Sequence, residues 1–517
     1  MHATSTRVFL ILLFLGTLVG SCVVEPTPVE ELTLADSTRV SQRLDISATA
    51  STTLTDDGPW QIKRYGHVWS EQNPEPTIND ARSEYSKAIT ALPFTFNSPI
   101  TNLTANKTYY IRAYVENAEN IAYGPVSTFT TQPGLALRLA ATLDDSLKDR
   151  DFGYSYAIFE KGEMVTSGGG GFQSRSVESA GAIPFTVDTK MHVASMTKTL
   201  TAMAFLKLAT EKGIKPTDYI IDYLPSAWHR GTNIDKITFH DLLTHRSGIV
   251  GFQNNCRNGA YTENYWYGLK ALIAKGVQPQ HLGNYCYQNV NFGLYRVLIP
   301  AMMGYQFTGN DQTDDTRTQQ LYEDYLRKNI IEKAGVTTTL LLNTYTQNPT
   351  YGYDYPFSGS RGFIPGNFAS TAGAYGFYLS AREAATVYAK ILSTPDESAL
   401  TTALKDALLT KGYGAYSTQT PDGRFSYHDG WWYILTGNSK AQGFRSVWLK
   451  APNDITIVLL TNGLREGDNL FPLKSSRYLD ITSFVLWAHS QAKRITPLAR
   501  ENYETNFHDY LQYPEPH

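Results

Sequence analysis

Ser195 and Lys198 stand three residues apart at the head of an amphipathic run that ends near Lys212-Gly213. On an α-helix that spacing puts a hydroxyl and an amine on one face, about a turn apart and within reach of a common point. A serine hydroxyl is a weak nucleophile at neutral pH, and a neighbouring amine whose pKa is depressed by burial can take its proton. Such a pair supports attack on a carbonyl carbon through a covalent acyl-enzyme. Leu200, Met203, Ala204, Leu206 and Leu208 supply the buried positions of the helix, and Gly213 its C-terminal stop. Alone, the four-residue S-x-x-K pattern also fits an ordinary helix start with a surface lysine.

Three later stretches add to the pair. Thr238-Phe239-His240-Asp241-Leu242-Leu243-Thr244-His245-Arg246-Ser247-Gly248 resembles the helix-and-turn signature of the serine β-lactamase and penicillin-recognising superfamily. Tyr287-Gln288-Asn289 matches the Y-x-N motif of class C β-lactamases and the related D-alanyl-D-alanine peptidases and esterases. His428-Asp429-Gly430 is similar to the H-x-G variant of the superfamily's K-T-G strand motif. Thr371 to Glu383 resembles the turn into its late helix, and Gly443 to Leu449 and Asp454 to Asn462 its last two strands.

The resemblance implies an α/β domain, with an antiparallel sheet flanked by helices and an all-α subdomain. It implies Ser195 as nucleophile, and Lys198 with Tyr287 as a coupled proton-transfer pair whose phenol the lysine keeps acidic. Asn289 would orient the lysine or a substrate amide, and the backbone N–H groups of Ser195 and Trp431 would form an oxyanion hole beside His428 and Gly430. The chemistry needs no metal or organic cofactor, and His240 and His245 read as structural histidines. The superfamily usually places lysine and threonine where this chain has His428 and Asp429, and that lysine holds a substrate carboxylate. A mostly neutral histidine followed by an aspartate favours esters, amides or peptides without a carboxylate there. Tyr433 to Lys440 is expected at the rim of the cleft. A non-catalytic binding or adhesion lipoprotein on the same scaffold is the alternative.

The chain's 517 residues predict two folded units. Lys and Arg (45) nearly balance Asp and Glu (48), which gives no cause to expect nucleic acid or an anionic membrane surface as a partner; the resemblance implies a small-molecule, peptide or cell-wall-derived substrate instead. Arg7 precedes an apolar run, Val8 to Leu15, too short to span a membrane, and Gly20-Ser21 leads to Cys22. Leu18-Val19-Gly20-Ser21-Cys22 resembles a bacterial lipobox, which implies a signal peptide over 1–21, lipidation of Cys22 and a lipid-anchored place in the cell envelope; a plain secretory signal is the other reading. Cys256 and Cys286 then form an even pair, either bonded or two small buried thiols.

A Pro- and Glu-rich tether over 22–31 leads into an all-β sandwich over 32–133, read from short alternating segments such as Leu44 to Ala48, each expected as a strand and broken by turn residues. Its clearest strand puts Tyr109, Ile111, Ala113 and Val115 on one face. Leu103 to Tyr109 and Ala122 to Thr131 resemble the tyrosine corner and closing strand of fibronectin type III domains in bacterial surface lipoproteins. The hydrolase domain is expected over 134–495, with a tail over 496–517. Within it the sequence predicts a helix from Leu135 to Lys148, a hairpin turning at Glu160 to Glu163, a flexible loop at Gly168 to Gly171, and a closing helix from Tyr478 to Trp487.

Overall fold

Period-two burial builds the strands of the first unit: along Ala48–Leu54 every second residue is buried, and in Thr108–Glu116 the buried set includes Tyr109, Ile111, Ala113 and Val115. The computed structural model describes residues 37–56, 61–257, 260–338, 341–343, 348–436, 441–465, 471–472 and 478–494. The signal segment, Cys22, the tether and the C-terminal tail lie outside these residues. The chain divides into two compact units between Gln132 and Pro133.

In the first unit, Arg39–Ser41, Ala48–Leu54 and Phe94–Ile100 form one sheet. Arg64–Ser70 and Thr108–Glu116 centre a second, with Ile121–Tyr123 and Ser127–Thr130 both paired to Thr108–Glu116. Ala48, Ala50 and Ile100 of the first sheet share a core with Trp69, Ile111 and Phe129 of the second, which makes a β-sandwich. The Thr104 N–H donates to Tyr109 Oη at 2.9 Å. The segment from Leu44 to Ala48, expected as a strand, becomes one only at Ala48; Leu44 N–H bonds to Ser47 O in a turn.

The second unit begins with helix α1 (Leu135–Leu147), followed by β1 (Tyr154–Glu160) and β2 (Glu163–Gly170). Helices α2 (Thr197–Lys212), α3 (Phe239–Leu243), α4 (Asn289–Gly293) and α5 (Ala381–Leu392) come next. Then follow β3 (Gly423–Leu435), β4 (Ala441–Lys450), β5 (Ile455–Thr461) and helix α6 (Ile481–Lys493). The main sheet runs β2-β1-β5-β4-β3 and is antiparallel at each of these pairings. Tyr353–Tyr355 also joins it, antiparallel to β4 and parallel to Gly463–Arg465.

Both faces of this sheet are covered, so its central strand is buried throughout and apolar at five of its seven positions. Ile455, Ile457 and Leu459 of β5 pack with α1 and α6, while Val458 and Leu460 enter the larger core that holds α2 and α5. Side chains alternate across the sheet, and each face therefore needs its own hydrophobic set. Helix starts are secured by side chains: Thr238 with Asp241 and Ser380 with Glu383 form reciprocal capping boxes on α3 and α5, and Asp480 accepts from Thr482 and Ser483 N–H on α6. Among the described residues no helix is long and apolar enough to cross a membrane.

Three local expectations change. Gly168, Gly169 and Gly170 are not a loop but the end of β2, paired with Tyr156, Ser155 and Tyr154. A Cβ on Gly168 would lie 2.5 Å from the Tyr156 hydroxyl, so the glycines make room for tyrosine rings that cross them. The closing helix starts at Ile481, after a short strand at Tyr478–Leu479, because Asp480 caps it there. Helix α2 is buried nearly all round, from Thr197 through Leu206, and so lacks the polar face of an amphipathic helix.

Candidate active site

Ser195 does not sit in the first turn of α2, as its spacing from Lys198 suggests. It lies in a 3-10 turn, Ala194–Met196, that feeds the helix. Ala194 takes φ 47°, a left-handed conformation that costs an L-residue roughly 1–2 kcal/mol. Neighbouring elements hold the turn in place. Val193 N–H donates to Phe377 O at 2.9 Å, Ser446 Oγ–H to Val193 O at 2.7 Å, and Tyr388 Oη–H to Met196 O at 2.8 Å.

Lys198 is fully buried, and its Nζ lies 2.9 Å from Ser195 Oγ, 2.8 Å from Asn289 Oδ1 and 2.9 Å from Ala374 O. Tyr287 Oη–H donates to the same Ser195 Oγ at 2.8 Å. Burial pushes the lysine ammonium well below the ordinary amine range, and the Asp429 charge only partly opposes this. Burial likewise pushes the Tyr287 phenol far up; the Ser195 hydrogen bond draws it back in part, and Asp429 and Tyr285 add to the rise. The expectation of a phenol kept acidic by Lys198 is therefore corrected. Burial is complete for Lys198 and partial for Tyr287, and desolvation disfavours either charge, so the lysine tends to lose its proton while the phenol keeps its own.

The partners fit a neutral amine. Asn289 Oδ1 and Ala374 O can only accept, so they take the two N–H bonds of a neutral lysine. The remaining lone pair then faces Ser195 Oγ. Asn289 thus meets the lysine, one of the two roles open to it. Ala374 O carries no sequence signature, since any residue supplies a carbonyl; its stretch, Thr371 to Glu383, could be matched but not given a role.

Strand β3 closes the other side. Gly430 packs directly on the nucleophile turn: a Cβ there would lie 2.3 Å from Ser446 Oγ, 2.4 Å from Val193 O and 3.1 Å from Ala194 Cβ. Trp431 follows it, opposite Arg445 on β4. His428 is 2% exposed; its Nδ1–H donates to Asp429 O at 2.6 Å and its ring lies 5.0 Å from that of Tyr416. Asp429, one residue on, leaves the strand on the opposite face and comes within 3.8 Å of the buried Arg445 guanidinium. Tyr433, Ile434 and Leu435, in the stretch expected at the rim, extend β3 and are exposed; residues 437–440 lie outside the described residues.

The two histidines of the helix-and-turn stretch are engaged with protein groups. His240 Nδ1 lies 3.1 Å from Tyr413 Oη, and His245 Nδ1 receives the Gln288 N–H at 3.3 Å. Cys256 and Cys286 are bonded, with Cα atoms 5.6 Å apart. The bridge ties the residue before Tyr287 to the segment that follows Gly248.

Among curated proteins, a putative penicillin-binding protein, PbpX, of Bacillus subtilis is 28% identical over 241 residues, covering 46% of this chain and 54% of that one. A teichoic acid D-alanine hydrolase of Staphylococcus aureus is 25% identical over 171 residues, 33% of this chain and 40% of that one. The chain therefore spans about half the length, or less, of the curated relatives it matches. The crystal structure of FmtA from Staphylococcus aureus shares 17% identity, covering 70% of this chain and 90% of that one with a TM-score of 0.49. The octameric penicillin-binding protein homologue from Pyrococcus abyssi shares 19%, over 63% and 72%, with a TM-score of 0.45. The Beta-lactamase family model matches residues 139–473, well over half of the 517, and the chain belongs to that family.

Proposed function

We propose that this chain is a cell-envelope serine hydrolase whose Ser195 forms an acyl-enzyme with an ester, amide or peptide that presents no free carboxylate to His428. Family membership carries the reaction class, acyl transfer through a serine. The observation that supports these residues is the line of hydrogen bonds from Tyr287 Oη through Ser195 Oγ to Lys198 Nζ, at 2.8 and 2.9 Å.

Ser195 Oγ bonds to the carbonyl carbon, its proton passes to the neutral Lys198 amine, and the carbonyl electron pair moves onto oxygen. Backbone N–H groups of Ser195 and Trp431 hold that oxyanion. Collapse breaks the bond to the leaving group, which takes the Tyr287 proton, and the Lys198 ammonium restores the phenol. Water then repeats the sequence on the acyl-enzyme: Lys198 takes its proton, Ser195 leaves with that of Tyr287, and the lysine again refills the phenol.

The relative named teichoic acid D-alanine hydrolase puts D-alanyl esters and D-amino-acid peptides in the first substrate panel. The relative named as a penicillin-binding protein adds penicillins. The first unit is read as a fibronectin type III-like spacer or adhesion module, supported by its two packed sheets and the Thr104–Tyr109 hydrogen bond. Residues 1–21 are read as the signal peptide, Cys22 as the lipidated residue, 22–31 as the tether, 32–133 as the spacer and 134–495 as the hydrolase domain.

Ser195→Ala tests the central assignment. It is expected to abolish both ester hydrolysis and labelling by a fluorophosphonate while leaving the circular dichroism spectrum unchanged. A folded Ser195→Ala protein that hydrolyses esters at the wild-type rate overturns the reading.

A further inference from the structure

His245 holds the chain on both sides of Tyr287. Its carbonyl accepts the Cys286 N–H at 2.7 Å, and its ring Nδ1 accepts the Gln288 N–H at 3.3 Å. Asn291 Nδ2 lies 3.1 Å from the same ring nitrogen. The Gln288 N–H can only donate, so Nδ1 is an acceptor, and it is the Asn291 amide nitrogen that faces it while Asn291 Oδ1 accepts from Ser247 Oγ. With two N–H groups directed at it, Nδ1 carries no proton, and the ring is a neutral imidazole protonated on Nε2. The ring lies on the Tyr287 phenol, centroids 4.4 Å apart at 34°, and meets Phe292 on α4 at 5.2 Å. His245 is 4% exposed and takes φ 55°, so the backbone adopts a strained conformation to put the imidazole there.

A histidine that only filled space would need neither a ring acceptor for the Gln288 N–H nor the strained backbone; the bond to Cys286 comes from a main-chain carbonyl that any residue supplies. We propose that His245 is the positioning residue for Tyr287: gripping the chain on both sides and stacking on the ring, it keeps the hydroxyl aimed at Ser195 Oγ before substrate enters. This rests on the role given to Tyr287 under the proposed function. Preorganisation of this kind affects the rate through geometry, and a displacement of about 1 Å at a reacting group costs on the order of a hundredfold.

Two variants separate the parts of the contact. His245→Phe keeps a stacked ring and removes the acceptor. His245→Asn keeps an acceptor close to the Nδ1 position, tolerates the positive φ, and removes the ring. With a p-nitrophenyl ester, each is expected to lower kcat roughly ten- to a hundredfold with KM within about twofold, at unchanged circular dichroism. The decisive readout is the cycle with Tyr287→Phe: in that background the His245 substitutions cost no further rate, because the group they aim is gone. Full multiplication of the two losses overturns the proposal, as does a folded variant with wild-type kcat. If His245→Phe does not fold, His245→Asn carries the same cycle, and the positive φ it accepts keeps it testable. Fluorophosphonate labelling of the wild type separates the two levels. An unlabelled wild type sinks the serine hydrolase reading, whereas a labelled wild type with multiplying losses sinks only the role of His245.

Discussion

Lys198 shows how a single residue sets the working pH. It must be neutral to take the Ser195 proton, and burial moves its pKa well below the ordinary value. The kcat/KM for an uncharged ester is therefore expected to rise with pH through that lowered pKa and then level off. A limb at the ordinary lysine value would show that another group is the base. The same shift has a sign in stability. The unfolded chain binds more protons than the folded one between the two lysine pKa values, so Lys198 makes the unfolding free energy rise with pH across that window. In the proposed function His428 sets selectivity in a different way. With no lysine at its position, a charge-assisted hydrogen bond of about 1.5–3 kcal/mol to a substrate carboxylate is missing, worth roughly ten- to a hundredfold in efficiency. Esters are expected to outpace nitrocefin, and His428→Lys to narrow the gap. Asp429 is better left in place, since Asp429→Thr would strip the buried Arg445 of the carboxylate 3.8 Å away. Nitrocefin turnover above that of every ester in a wild-type assay would refute this account of selectivity.

At the scale of elements, the site depends on a strand lying against a turn. Gly430→Ala would force a methyl into Ser446 Oγ and Val193 O, at 2.3 and 2.4 Å, and push β3 away from the nucleophile turn. A loss of roughly 1–3 kcal/mol in stability is expected from overpacking, with kcat down on the order of ten- to a hundredfold as the turn shifts. Thermal melting and steady-state kinetics on the same preparation check both, and unchanged values would mean that the strand yields at no cost. Much of this arrangement was legible in the chain. Ser195 and Lys198 announce themselves by type and spacing, and Tyr287, Asn289 and Gly430 by their resemblance to motifs of a known family. What could not be read depends on distant partners. The 3-10 turn at Ser195 exists because Phe377, Tyr388 and Ser446, far along the sequence, bind its backbone. Gly168 to Gly170 looked like a loop because the tyrosines that fill the space above them belong to β1. The direction of the Tyr287 shift depends on burial by distant elements, which no local pattern encodes.

For the whole molecule, the catalytic candidates Ser195, Lys198, Tyr287, Asn289, Gly430 and Trp431 all come from the second unit. A protein starting at Pro133 is expected to keep kcat/KM for a small ester within about twofold, and a loss beyond tenfold in a folded truncation would show that the first unit supports the site. The Cys256–Cys286 bond reaches further than local bracing. It closes a segment of 30 residues in sequence separation, for which chain entropy gives roughly 3–4 kcal/mol. Cys286 also directly precedes the tyrosine aimed at the nucleophile. Such bonds form in oxidising compartments and not in the cytosol. On the reading of residues 1–21 as a signal peptide, export would serve as a maturation step: the newly made chain would stay slack around Tyr287 until it left the cell interior, and synthesis would be separated from competence. Protein kept reduced during production should be slower and melt earlier than the same chain after oxidation, and equal kcat for the two preparations would disconnect the bond from the chemistry.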